Sequence, residues 1–148
     1  MIFLGIDYGT KRIGVAKSDP TGTLATPFET LSSKNDPFLD SELIIEKLTE
    51  TNAECLVIGL PLNMNGTSGE MVRKVRKLIF CIRKNSSIQI KEWDERLTSI
   101  QAIKIINTKK NKMGRASVDS ISAALILESF LSSSSHKWKV GGIYEIWG

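Results

Sequence analysis

The sequence predicts an α/β domain: a mixed five-stranded sheet, three antiparallel strands then two parallel ones, flanked by helices. Three observations predict it. Residues 2–6 are apolar on both faces and end in Asp7, as expected of a central strand. Two more strand-like segments follow at once, separated only by turn residues. From residue 41 onward the apolar period becomes helical and alternates with two further apolar runs.

The elements follow in chain order. Residues 2–7 form the first strand, Tyr8-Gly9-Thr10-Lys11 a turn, and residues 12–16 a second strand paired as a hairpin. Asp19-Pro20-Thr21-Gly22 turns the chain into a third strand over 24–31, where Pro27 points to a sheet edge. Leu43, Ile44, Lys47 and Leu48 mark an amphipathic helix with Asp40 or Ser41 as N-cap and Glu42 in its first turn. Residues 54–60 read as a buried strand. A second helix over 70–84 places Met71, Val75, Leu78 and Ile82 on one stripe. A last strand occupies 88–94, followed by a helix over 97–107, a polar loop over 107–117 and a helix over 118–131. Helical crossovers favour parallel pairing of the last two strands. The domain therefore spans residues 1–131. Residues 132–148 form a separate tail: a serine linker (Ser132 to Ser135), then a hairpin from two alternating arms around Gly141-Gly142.

Composition narrows the function. At 148 residues with 41% hydrophobic and 24% charged side chains, the chain is an ordinary globular domain. No apolar run is long enough to span a bilayer, and Asp7 interrupts the N-terminus before a signal-peptide core, so a cytoplasmic protein without a membrane partner is expected. Cys55 and Cys81 lie in apolar segments outside any zinc pattern and are expected to be small buried hydrophobes. The only histidine, His136, sits in the tail, which leaves no Ser-His-Asp arrangement. The net charge of +4 permits a polyanionic partner.

The chemistry lies in the acids. Asp7 ends an apolar strand, where a carboxylate must be paired, hydrogen-bonded or metal-bound; position alone also allows a solvated turn aspartate. Asp94 and Glu95 end the last strand. They could equally be a helix-terminal acid pair, with Arg96 able to satisfy one of them. Asp119 shares a stripe with Ala123, Ile126 and Phe130, so its carboxylate faces the sheet edge, which a plain N-terminal acid would not require. In this element order the three positions can converge at one end of the sheet. Convergent carboxylates need a cation, and hard oxygen ligands favour Mg²⁺ or Mn²⁺. Two such ions about 4 Å apart can drive phosphodiester hydrolysis.

Four ordered segments carry a resemblance: LGIDYGTKRIGVA at 4–16, VIGLPLNMNGT at 57–67, DERLTS at 94–99 and VDSISAALIL at 118–127. With these the chain closely resembles the YqgF/RuvX family, described as Holliday junction resolvases or pre-16S rRNA processing nucleases. The resemblance spans about residues 2–131. It implies an RNase H-like fold, a two-ion Mg²⁺ or Mn²⁺ site, and Asp7, Glu95 and Asp119 as the acidic triad, with Asp94 as neighbour. It implies a nuclease acting on structured RNA in ribosome biogenesis or on branched DNA in recombination. In related resolvases an acid ends the fourth strand; here that strand ends Gly59-Leu60-Pro61, so the middle acid must come from the next strand.

Lys104, Lys109, Lys110, Lys112 and Arg115 lead into Asp119 without an intervening acid, which suits phosphate contact beside the metal site. Lys11, Arg12 and Arg96 are further candidates for nucleic-acid contact. The second helix is also basic, although a charged outer face is what any amphipathic helix needs. Two rivals remain. Gly5-Ile6-Asp7-Tyr8-Gly9-Thr10 resembles the first phosphate loop of actin-like ATPases, but a second domain and a Walker A loop are lacking. A non-catalytic nucleic-acid-binding module is the other, and retention of all three acids argues against it. Monomer and homodimer both stay open.

Overall fold

The computed structural model describes residues 1–63, 65–66, 69–98 and 115–141, with side chains of the last segment described over 118–133. Its elements are β1 (Phe3–Tyr8), β2 (Arg12–Ser18), β3 (Ala25–Ser32), α1 (Pro37–Thr51), β4 (Cys55–Leu60), α2 (Glu70–Asn85), β5 (Gln89–Asp94), a 3-10 turn (Glu95–Leu97) and α3 (Arg115–Gly141). The sheet order is β3-β2-β1-β4-β5. The first three strands pair antiparallel and β4 and β5 add in parallel, so the mixed five-stranded sheet is as the sequence predicts. β3 is indeed an edge strand. Its register shifts where Val15 faces Glu29 but Ala16 faces Pro27, leaving Phe28 as the extra residue. Proline has no N–H to give to a ladder, and an edge tolerates it.

The sheet is covered on both faces. On one, Leu4 and Ile6 of β1, Ile13 and Val15 of β2, and Leu56 and Ile58 of β4 are fully buried under α1 and α2. α2 supplies Val72, Val75, Leu78, Ile79 and Ile82 to that core, while Met71 is only partly buried. On the other face, Ala16 and Val57 pack with Ala123, Ile126, Leu127 and Leu131 of α3. An aromatic group closes this layer: Phe130 lies 5.9 Å from Phe3 and 5.5 Å, edge-on, from Trp93. Trp93 Nε1 donates to Ser129 Oγ at 3.1 Å.

Glycines decide how close α3 comes. A Cβ on Gly5 would meet Leu127 Cβ at 2.8 Å, and one on Gly14 would meet the Asp119 carbonyl oxygen at 1.9 Å. No side chain fits there, so the first turns of α3 rest directly on the backbone of β2.

Three expectations need correction. α1 begins at Pro37, with Asp36 rather than Asp40 or Ser41 as its N-cap. Asp36 accepts from the Phe38 and Leu39 amides, and Pro37 takes the first-turn position where a missing N–H costs nothing. Asp40 is instead wholly buried, accepting from Tyr8 Oη at 2.6 Å, Ser33 Oγ at 2.7 Å and the Lys34 amide at 2.7 Å. At the other end, α3 starts at Arg115 and runs to Gly141, through the predicted loop end, serine linker and first hairpin arm. Serine is only a middling helix former, but extending a packed helix costs far less than nucleating one. The second hairpin arm, the helix expected over 97–107 beyond residue 98, and the basic loop at 107–114 lie outside the described residues. Among the described residues, no helix is long and apolar enough to cross a membrane.

The Gly14 seat is testable. Gly14→Ala should cost at least about 2 kcal/mol in urea unfolding, because helix backbone cannot yield as a side chain can. Gly69→Ala, whose Cβ would meet only the Asn63 side chain at 3.8 Å, should cost less than about 1 kcal/mol. Equal costs would refute the close helix approach.

Candidate active site

The acids gather where β1, β4 and β5 end. Asp7 lies next to last in β1, directly across from Gly14 of β2. Because Gly14 carries the Asp119 backbone on its face, the second acid is brought beside Asp7 by helix seating. Glu95 opens the 3-10 turn after β5, and its side chain folds back over Gly59, where a Cβ would meet Glu95 Oε2 at 2.7 Å. Gly59 follows Ile58, the β4 partner of Ile6, so Glu95 reaches toward Asp7 from the opposite side. Two glycines, Gly14 and Gly59, thus make room for the two acids that flank Asp7.

The electrostatics agree with this convergence. Burial pushes the Asp7 carboxyl up from its ordinary 3.8 to about 6, and the Asp119 charge pushes in the same direction. Burial likewise raises Glu95 from 4.5 to about 7, with Asp7 and then Asp94 adding repulsion. Among the described residues neither acid gains a hydrogen bond that would offset this. Asp119 differs: its Oδ2 accepts from Arg12 Nε at 2.5 Å.

Asp94 is turned elsewhere. It caps the 3-10 turn by accepting from the Arg96 amide at 2.9 Å and binds the Arg96 side chain through Nε at 3.0 Å and Nη2 at 2.7 Å. That partnership holds its carboxyl below the usual range. Arg96 and Arg12, both expected at nucleic acid, are therefore engaged by acids of the site. Lys11 is exposed in the β1–β2 turn, and its carbonyl accepts from the Ser33 amide. Lys104, Lys109, Lys110 and Lys112 lie outside the described residues, and Arg115 is the first residue of α3.

Three carboxylates of this kind are hard oxygen donors suited to Mg²⁺ or Mn²⁺, and a cation would relieve the repulsion that raises Asp7 and Glu95. As they stand, among the described residues, no three His, Cys, Asp or Glu side chains are grouped to hold one ion. The Arg12–Asp119 pair and the glycine seats have no local signature in the sequence. Only the isolated glycines within strand patterns hinted at a close backbone approach.

Known proteins bear on this arrangement. Residues 1–133 match the family described as "RuvX: Holliday junction resolvase". The chain belongs to the RuvX family. A relative from Pelotomaculum thermopropionicum is 35% identical over 144 residues, covering 96% of this chain and 94% of its own. One from Endomicrobium trichonymphae is 40% identical over 136 residues, covering 89% and 96%. Both are named "Putative pre-16S rRNA nuclease". Among solved structures, RuvC of T. thermophilus in complex with a Holliday junction substrate superposes with a TM-score of 0.58 at 12% identity, covering 91% of this RuvX-family chain and 96% of that one. At that identity the likeness speaks for the fold, which is RNase H-like.

The raised acids set a pH dependence. Asp7 and Glu95 are harder to ionise in the folded protein than in the unfolded chain, so folding takes up protons between the two values. Their contribution to stability is fully present below about pH 4 and declines as pH rises toward 7. In metal-free buffer, Asp7→Asn should therefore be more stable than wild type at pH 8 by on the order of 2 kcal/mol, with the difference vanishing near pH 4. Urea unfolding at both values measures this. A variant no more stable than wild type at pH 8 would show that Asp7 bears no repulsion.

Proposed function

We propose that this RuvX-family chain is a metal-dependent nuclease that hydrolyses phosphodiester bonds in structured nucleic acid, and that its substrate is the 5′ end of pre-16S rRNA. The observation that carries the reading is the placement of Asp7 between Asp119 and Glu95, with both Asp7 and Glu95 raised by burial and by neighbouring acids. A globular domain does not keep such a cluster for stability, and perturbed carboxylates in this arrangement mark sites of chemistry. Asp7, Glu95 and Asp119 would hold the ions, with Asp94 at the margin. The bound ions would activate water and stabilise the leaving oxygen.

The chain's own residues set up the rest. Arg12 holds Asp119 in place before the site is loaded, and its guanidinium can turn to a backbone phosphate when the acid takes a cation. Arg96 shares that option through Asp94. Lys11 stands exposed one residue away from Arg12, and Lys109, Lys110, Lys112 and Arg115 precede Asp119 in the chain. These cations would position the strand through its phosphates without reading sequence. The names of the curated relatives favour the RNA substrate. The family description and the fold likeness to RuvC favour the second reading, cleavage of a four-way DNA junction in recombination.

Two measurements test the proposal. Mn²⁺ at about one hundred times its dissociation constant should stabilise the wild type by about 2.7 kcal/mol and leave Asp7→Asn unmoved. An equal response in both would remove the metal site from these residues. Cleavage of a precursor RNA hairpin and of a four-way DNA junction should be compared side by side with Mg²⁺. The RNA should be cut, and Asp7→Asn, Glu95→Gln and Asp119→Asn should each lose at least about 100-fold in rate. Cutting of the junction alone would favour the second reading, and cutting of neither would sink both.

A further inference from the structure

The outer face of α2 carries a charge pattern that burial of its inner face does not explain. The helix buries Val72, Val75, Leu78, Ile79 and Ile82, while its opposite side exposes Arg73, Arg76, Lys77, Phe80, Arg83 and Lys84. At 100° per residue these six fall within about one third of the helix circumference, along a stripe of about 16 Å at 1.5 Å per residue. The helix has a single acid, Glu70, in its first turn. Among the described residues only Arg76 of these cations has an acidic partner, Glu92 at 3.7 Å. A solvated face usually intersperses its charges, as α1 does where Lys47 bridges Glu50 and Glu29. On α2, like charges stand at i,i+3 and i,i+4 (Arg73 with Arg76 and Lys77), an arrangement that works against the helix unless an anion neutralises it.

In the middle of this stripe Phe80 is 58% exposed, and Lys84 Nζ lies 5.2 Å from its ring centroid. An aromatic platform flanked by cations, of which only Arg76 has an acidic partner among the described residues, is the chemistry of single-stranded nucleic-acid binding, in which phosphates meet the cations and a base stacks on the ring. The topology places it usefully. Leu60, at the end of β4, pairs with Asp94, and β5 begins beside Cys55, so α2 must start at the acidic edge of the sheet and run away from it.

We propose that the outer face of α2 is a second nucleic-acid-binding surface, which takes a single-stranded extension of the substrate along Arg73, Lys77, Arg83 and Lys84 and stacks one of its bases on Phe80. The proposal rests on the nuclease reading above and adds to it: the substrate of this chain is a structured element with an unpaired flank. Specificity for that flank then comes from stacking and phosphate spacing, not from base edges.

The test is binding by the full chain in metal-free buffer, read by fluorescence anisotropy over a salt series. The probes are a labelled RNA hairpin with a single-stranded extension, the same hairpin with a blunt end, and vesicles of mixed phosphatidylcholine and phosphatidylserine. Wild type should bind the extended hairpin more tightly than the blunt one. The triple variant Arg73→Gln, Lys77→Gln, Arg83→Gln should lower the slope of log affinity against log salt by about 2, at about 0.7 per phosphate contact. Phe80→Ala should weaken the extended hairpin about tenfold without changing the slope or the blunt hairpin, and Phe80→Trp should restore it. Unchanged binding in both the triple variant and Phe80→Ala overturns the proposal while leaving the nuclease reading intact. So does vesicle binding that exceeds RNA binding. Wild type that binds neither hairpin removes both readings.

Discussion

The acidic end of the sheet depends on how near the backbone of α3 lies to the backbone of β1 and β2. With any side chain at Gly14, the Asp119 carbonyl would have to retreat, and the carboxylate would retreat with it. The same holds across the strand at Gly59, where the space left by a missing side chain is filled by Glu95. The core on the α3 side is accordingly built from Ala16, Ala123 and Ala124 near the helix start and from Leu127, Leu131 and the aromatic group farther along. The helix is pinned tightly where it delivers an acid and packs through larger side chains where it does not.

The other face holds the same strand end differently. Tyr8 follows Asp7 in β1 and points to the opposite side, where its hydroxyl donates to the buried Asp40 carboxylate. Asp40 also accepts from Ser33 and the Lys34 amide, so one carboxylate ties the end of β1 to the start of α1 and the end of β3. Burial and this hydrogen bond push the Tyr8 phenol far above its ordinary value, which keeps it a donor. A strand end fixed from both faces can hold a carboxylate against the repulsion of its neighbours, where a mobile one would turn it out to water.

Much of this was legible in the sequence, and the illegible parts share a physical cause. The antiparallel and parallel strand pairings and both amphipathic helices are local patterns, or follow from connection rules acting on local patterns. The pairing of Arg12 with Asp119 joins residues 107 apart in the chain and leaves no local trace. The apolar period places the start of α1 near Asp40 or Ser41, and only the proline after Asp36 marks the true cap. The serine run misled in the opposite direction. Its composition suits a linker, yet α3 already has Leu127 and Leu131 packed on the sheet, and the helix continues past them. Asp94 and Glu95 are adjacent and chemically alike; only the tertiary positions of Gly59 and Arg96 separate their surroundings.

The distance in sequence between Arg12 and Asp119 has a consequence for the protein's synthesis. In synthesis Asp7 and Arg12 precede most of the sheet, and Asp119 follows β5. Domains form as their chain emerges, N-terminal parts first. A nascent chain that ends after β5 carries all five strands and still lacks Asp119 and the helix that seats on Gly14. Asp119 can join Asp7 and Arg12 only after α3 has been made and has seated on β2.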